Sequence, residues 1–245
     1  GYFPNADMTE SQLRRAMAYY YATISQIDHH VGRMIDLLKQ KGLYDDTLIV
    51  YTSDHGDFLG FHHLLLKGNH MYDPLMRIPL IVKYPGQSHS GETTAALSSN
   101  VDIAPTLLCR ANCEIPQTMR GLDLEQHPEG RDAVFAEAGS REYMVRTRTR
   151  KLLLNRDPDA SLLFDLENDP CEMENLHADP ARREEIAALR ERLLDWSLFT
   201  CPSPVHLDER GPICPGENAV TFDDESKKER EAYFAEQMQK PSSYQ

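Results

Sequence analysis

The 245 residues carry 26 Lys and Arg against 39 Asp and Glu, a formal charge of −13, and a surface of that sign repels phosphate backbones and argues against nucleic-acid binding. With 40% hydrophobic and 27% charged residues, the chain can bury a core for one large domain or two small ones, which excludes disorder as the default. No apolar run approaches the roughly 20 residues that span a bilayer, and Gly1-Tyr2-Phe3-Pro4-Asn5 has neither the basic nor the apolar region of a signal peptide.

In chain order, the first element is a long amphipathic helix. Thr9 and Gln12 form a capping-box pattern, and Gly42 supplies a stop. Between them Leu13, Met17, Tyr20, Ile24, Ile27, Val31, Met34 and Leu38 recur at spacings of four and three, which predicts one buried stripe. Residues 47–52, Thr-Leu-Ile-Val-Tyr-Thr, predict a strand buried on both faces, as in a parallel sheet under helices. A second such run covers residues 79–84, and a His-rich, Gly-punctuated loop of functional length joins the two. Asp102 to Ala111 reads as a short helix carrying Pro105.

Past residue 130 the texture changes. Ala133–Ala138, Glu142–Arg148, Lys151–Leu154 and Leu162–Leu166 predict an antiparallel meander, followed by a charged helix from Pro180 to Trp196. Ile186, Leu189, Leu193 and Trp196 share its apolar face. The Pro-rich, then highly charged tail wraps the surface or is partly mobile. Five cysteines leave at least one unpaired; they are too few and too spread for a disulfide scaffold. Cys109 and Cys113, four apart on the predicted helix, lack the clustered partners of a zinc site. Cysteine usage leans toward a reducing cytoplasm, with periplasmic or secreted locations open.

The chemistry concentrates at Ser53-Asp54-His55-Gly56-Asp57. Asp54 and His55 directly follow the first strand, and ligand sites of open α/β sheets form at the carboxyl ends of strands. Gly56 lets the backbone turn sharply there. A carboxylate beside an imidazole can face one divalent cation, a hard one by the carboxylate and a softer one by the ring. On those five residues alone, a strand-end turn with Asp54 accepting from backbone N–H groups is the stronger reading. Lys67, thirteen positions after Asp54, lies in a loop with His62, His63 and His70. Its ammonium suits a sulfate or phosphate oxygen, and a histidine can protonate a departing alkoxide. Together these residues set anion-binding chemistry beside a metal-like pair.

The chain resembles the sulfatase family of the alkaline-phosphatase-like superfamily over roughly residues 15 to 196. The match runs in order through residues 21–28 and 31–33, residues 46–57, Leu59-Gly60-Phe61-His62, Lys67, residues 77–82, residues 101–108, residues 121–124, Leu163 to Pro170, and Glu174-Asn175-Leu176. The resemblance implies an α/β fold. Residues 1–128 would be part of an alkaline-phosphatase-like sheet-and-helix domain, 129–198 a small antiparallel subdomain with a packed helix, and 199–245 a tail. It further implies that Asp54 and His55 are two ligands of a single divalent metal, usually calcium, with magnesium or manganese as alternatives. Lys67 would contact the sulfate near the bridging oxygen, and His62 would stand near the substrate. His63 and His70 have no counterpart and read as solvated loop residues.

The family's nucleophile is a formylglycine made in a Cys/Ser-x-Pro-x-Arg motif, which does not occur here. Cys201-Pro202-Ser203-Pro204-Val205 fails that pattern because Ser203 and Val205 stand where Pro and Arg are needed. The first two metal carboxylates and an upstream histidine are also not among these residues. The resemblance therefore implies a C-terminal portion that does not turn over alone, with its own N-terminal part as partner and a sulfated small molecule or glycan as substrate. Two rivals stand beside it: a phosphonate monoester or phosphodiester hydrolase of the same superfamily, and a non-catalytic docking or scaffold module.

Overall fold

The computed structural model describes residues 3–4, 8–116, 118–138, 142–200, 207–208 and 211–212. One compact unit covers Gly1–Cys201 and a second Pro202–Gln245. In the second, Leu207–Asp208 pairs antiparallel with Gly211–Pro212. The remainder of the predicted tail, Cys201-Pro202-Ser203-Pro204-Val205 included, lies outside the described residues.

In the first unit, β1 (Phe3–Pro4) precedes α1 (Glu10–Gln40). The capping box is present: Gln12 N–H donates to Thr9 Oγ1 at 3.3 Å, and Thr9 N–H donates to Gln12 Oε1 at 2.8 Å. At the other end Gly42 takes φ +67°, Leu43 N–H bonds the Leu38 carbonyl, and Gly42 N–H bonds that of Lys39. That pair of bonds is a Schellman stop, which needs a residue free to enter the left-handed region. The stripe is a correction. No residue of α1 is buried, and Ile24 and Ile27 are each 45% exposed. Period alone makes a helix amphipathic; burial needs a second surface, and every residue from 21 to 30 is exposed among the described residues.

Strand β2 (Ile49–Thr52) pairs with β4 (Leu80–Lys83) in an antiparallel register, Ile49 opposite Lys83 and Thr52 opposite Leu80. This corrects the expected doubly buried parallel strand: Ile81 is 62% exposed and Tyr51 36%. A short β-branched run carries no direction, so the composition could not distinguish the two pairings. Lys83 Nζ holds the turn ahead of β2, donating to the Asp45 and Thr47 carbonyls at 2.8 and 3.1 Å. Between β2 and β4, β3 (Leu64–Leu65) pairs with β1, and a four-residue helix α2 spans Asp73–Met76. The helix α3 (Ile103–Arg110) ends before Cys113, so Cys109 and Cys113 do not share a helix face. Buried Asp102 ties this region together, accepting from Ser99 N and Leu122 N at 2.8 Å each and from Arg131 Nε at 3.0 Å.

The meander forms as read: β5 (Val134–Ala138), β6 (Glu142–Arg146), β7 (Arg150–Asn155) and β8 (Leu162–Asp165) pair antiparallel in that order. Alternation sends neighbours to opposite faces. Val145, Leu152 and Leu163, each 0% exposed, meet Leu189 and Leu193 of α4 (Arg183–Asp195). Phe135 stacks on Trp196 with ring centroids 5.2 Å apart. The other face, with Met144, Leu153 and Phe164, packs on Met71. The sheet is thus covered on both sides, and the chain entering α2 covers the second.

Candidate active site

Asp54 and His55 sit on the turn that leaves β2. Asp54 Oδ1 accepts the N–H of the next residue, His55, at 3.0 Å. Its carboxylate nevertheless stays 85% exposed. Ser53 Oγ donates to the His55 carbonyl at 2.7 Å and closes the turn. His55 Nδ1 lies 2.8 Å from the Gly56 carbonyl. A carbonyl only accepts, so Nδ1 carries the proton and Nε2 presents its lone pair. That Nε2 is 3.5 Å from Asp54 Oδ2. The His55 backbone N–H bond holds the Asp54 carboxyl below its ordinary range, and the charge of Lys67 adds to the effect.

Gly56 has a role other than the sharp turn expected of it. Its N–H bonds the Leu75 carbonyl at 2.8 Å, and a Cβ there would stand 1.9 Å from the Pro74 carbonyl oxygen. The strand-end turn is therefore pressed directly onto α2, and only a residue without a side chain fits.

The loop beyond is tightly wound. Asp57 Oδ1 accepts Leu59 N–H at 2.9 Å, Phe58 N–H bonds the Leu66 carbonyl, and Gly60 N–H bonds that of Leu64. Leu59, His62, His63 and Leu66 all take positive φ, between 45° and 58°. Left-handed backbone at four non-glycine residues stores strain that surrounding contacts must hold. Phe58, 2% exposed, anchors the loop from below.

Lys67, His63 and His70 are exposed. His62 is half-buried and stacked on Tyr72, with centroids 4.2 Å apart and planes 19° apart. Its Nε2 is buried without a hydrogen-bond partner among the described residues. Such an orphaned nitrogen is uncommon enough to need a reason. Tyr72 also meets Phe58 and Phe164, so the ring carrying His62 is itself wedged against the β5–β8 sheet.

Beneath Tyr72 lies a charge cluster that no sequence pattern announced. Lys151 Nζ, 0% exposed, donates to Asp73 Oδ1 and Glu172 Oε1 at 2.7 Å each. Arg146 Nη2 reaches Asp73 Oδ2 at 3.1 Å, and Glu172 Oε2 accepts Asp73 N–H at 2.7 Å. Burial would raise the Asp73 carboxyl, but Lys151 and Arg146 outweigh it and hold the group below its ordinary range. The available signal was Lys151 itself, a cation set directly against Leu152-Leu153-Leu154 in a strand.

The structure thus brings Asp54 and His55 into one cluster within electrostatic reach of Lys67, and sets His62 on the Tyr72 ring. Among the described residues no group of three or more His, Cys, Asp or Glu side chains could hold a metal by itself. Asp54 and His55, an exposed carboxylate and a ring nitrogen 3.5 Å apart, are a donor pair that a divalent cation could share. No described helix is long and apolar enough to cross a membrane.

Residues 2–113 match the sulfatase family model, and residues 60–198 match the model for the C-terminal region of N-sulphoglucosamine sulphohydrolase. An N-acetylglucosamine-6-O-sulfatase of Bacteroides thetaiotaomicron is 36% identical over 177 residues, covering 65% of this chain and 32% of that protein. A solved structure in complex with its substrate D-glucosamine-2-N,6-O-disulfate superposes with a TM-score of 0.65 at 34% identity, over 72% of this chain and 39% of that one. The phosphonate monoester hydrolase of Silicibacter pomeroyi gives a TM-score of 0.72 at 26% identity, over 86% of this chain and 47% of that one. The chain spans less than half the length of each of these relatives.

Proposed function

We propose, because this chain belongs to the sulfatase family, that the whole protein hydrolyses sulfate esters and that Asp54 and His55 are two ligands of its divalent cation, calcium. The alkaline-phosphatase-like fold and the family's divalent metal are the frame for that reading. The observation that carries it is the His55 ring. Its Nδ1 is committed to the Gly56 carbonyl, and its free Nε2 stands 3.5 Å from an exposed carboxylate oxygen of Asp54. A bond from the ring to a backbone carbonyl fixes the tautomer that a metal-bound histidine needs. When bound, a divalent cation supplies Lewis-acid polarisation of an ester's anionic oxygens.

The chain's own residues do the rest. Asp54, held ionised by the His55 N–H, keeps its negative charge at neutral pH. Lys67 brings a cation to the sulfate oxyanion and to charge developing on the bridging oxygen. His62, oriented by the Tyr72 stack, supplies a proton to the departing alkoxide. A sulfated small molecule or sugar is the substrate class this reading favours. The relative that binds a disulfated glucosamine supports it.

Turnover of an aryl sulfate and of an aryl phosphonate by the whole protein tests the assignment. Higher kcat/KM on the sulfate is the expected result. A preference for the phosphonate would move the protein toward the phosphonate hydrolases, whose fold it matches at a TM-score of 0.72. Turnover of neither would favour a docking module.

A further inference from the structure

Glu172 is a buried acidic residue held on strained backbone. It is 1% exposed, lies 99 residues from its partner Asp73, and holds φ at +55°. A non-glycine residue in that region costs energy, and such outliers persist where surrounding contacts over-determine them. Both carboxylate oxygens are used, one on Lys151 Nζ and one on Asp73 N–H, each at 2.7 Å. Asp73 opens α2, and its N–H is one of the donors a helix start leaves without an intrahelical acceptor.

From that N–H two short paths run into the site. Tyr72, one residue earlier, carries the stacked His62 ring. Pro74 and Leu75, just after, carry the carbonyls against which Gly56 is pressed, and Gly56 in turn accepts the His55 ring proton.

We propose that Glu172 is a positioning residue of the active site: by gripping the Asp73 N–H from the small antiparallel subdomain, it fixes α2 and so sets both the His62 stack and the His55 tautomer. This rests on the sulfatase reading above. What matters is the reach of the carboxylate, not its charge alone.

Two variants of the whole protein separate those possibilities. Glu172→Asp keeps the charge and tolerates the backbone angle, but is one methylene short of spanning Lys151 and Asp73. Lys151→Met with Glu172→Gln removes the charge pair yet keeps an amide oxygen for the Asp73 N–H. For Glu172→Asp we expect faster hydrogen exchange at the Asp73 and Gly56 amides and unchanged exchange at Leu152 and Leu189. Calcium binding without substrate should weaken about 10-fold, and kcat on an aryl sulfate should fall about 10- to 100-fold with KM little changed, the range seen when support of a metal ligand is lost. The double variant should restore kcat and calcium affinity to within about threefold of the wild type.

Unchanged exchange at Asp73 in Glu172→Asp would overturn the proposal. So would exchange raised equally across the sheet, which means global loosening, or a folded double variant as impaired as Glu172→Asp. Should the double variant not fold, the exchange pattern of Glu172→Asp decides. A wild-type protein inert on sulfate esters refutes the sulfatase reading instead, and exchange with calcium binding still tests Glu172.

Discussion

Lys151→Met isolates the energetic side of the buried cluster. The lysine is 0% exposed and bridges Asp73 and Glu172, whose carboxylate is also 0% exposed. Removing the cation leaves Asp73 with Arg146, but leaves Glu172 with one backbone N–H for a full buried charge. Stranding one partner of a buried pair costs about 3–5 kcal/mol. Each kcal/mol is worth roughly 2–4 °C in a unit of this size, so Tm at pH 7 should drop by about 6–20 °C. The sign with pH follows from Asp73, whose carboxyl is held low in the fold. A depressed carboxyl contributes stability that is complete above the unfolded value, about 3.9, and is lost as pH falls through the folded value. The wild type should therefore lose Tm as pH falls below about 4, and Lys151→Met should lose less over the same interval. Thermal melts followed by circular dichroism at pH 7 and pH 3 measure both effects. A variant within 2 °C of the wild type at pH 7, by the ~1 kcal/mol scale above, would show that the cluster contributes nothing net and refute the reasoning.

Leu152→Ala empties the face against α4 and should cost about 2–5 kcal/mol in urea unfolding, with no change in calcium affinity. Gly56→Ala drives a methyl into the Pro74 carbonyl; calcium affinity should fall at least about 10-fold even where the protein remains folded. Glu142 is buried, which raises its carboxyl despite bonds from Asn155 and the Met71 backbone. A raised carboxyl favours the fold below the unfolded value of about 4.3 and loses that contribution as pH rises through the folded value. Glu142→Gln should thus raise Tm at pH 7, and the gain should vanish near pH 4.

Much of the fold was legible because local chemistry decides it. Thr9 with Gln12 and Gly42 mark both ends of α1, and alternation with turn residues marks the four strands of the meander. What the sequence could not carry was pairing and cover. The run Ile49–Thr52 is compatible with either strand direction, and the α1 stripe specifies an apolar face without specifying what meets it. The site divides the same way. Asp54 and His55 adjoin in sequence and follow a strand, so their convergence could be read directly. Asp73, Lys151 and Glu172 are ordinary charges until the fold closes 99 residues of separation between Asp73 and Glu172. Gly56 was singled out for a turn, whereas the close approach of α2 is the constraint that excludes a side chain.

Calcium titration of the whole protein, wild type against Asp54→Ala, bears most directly on the assignment of Asp54 and His55 as a metal pair, with aryl sulfate turnover followed in the same samples. The account predicts that the variant stays folded, because Asp54 is exposed and braces only the local turn, while calcium affinity and turnover fall together. A variant that binds calcium and cleaves the ester like the wild type would contradict it.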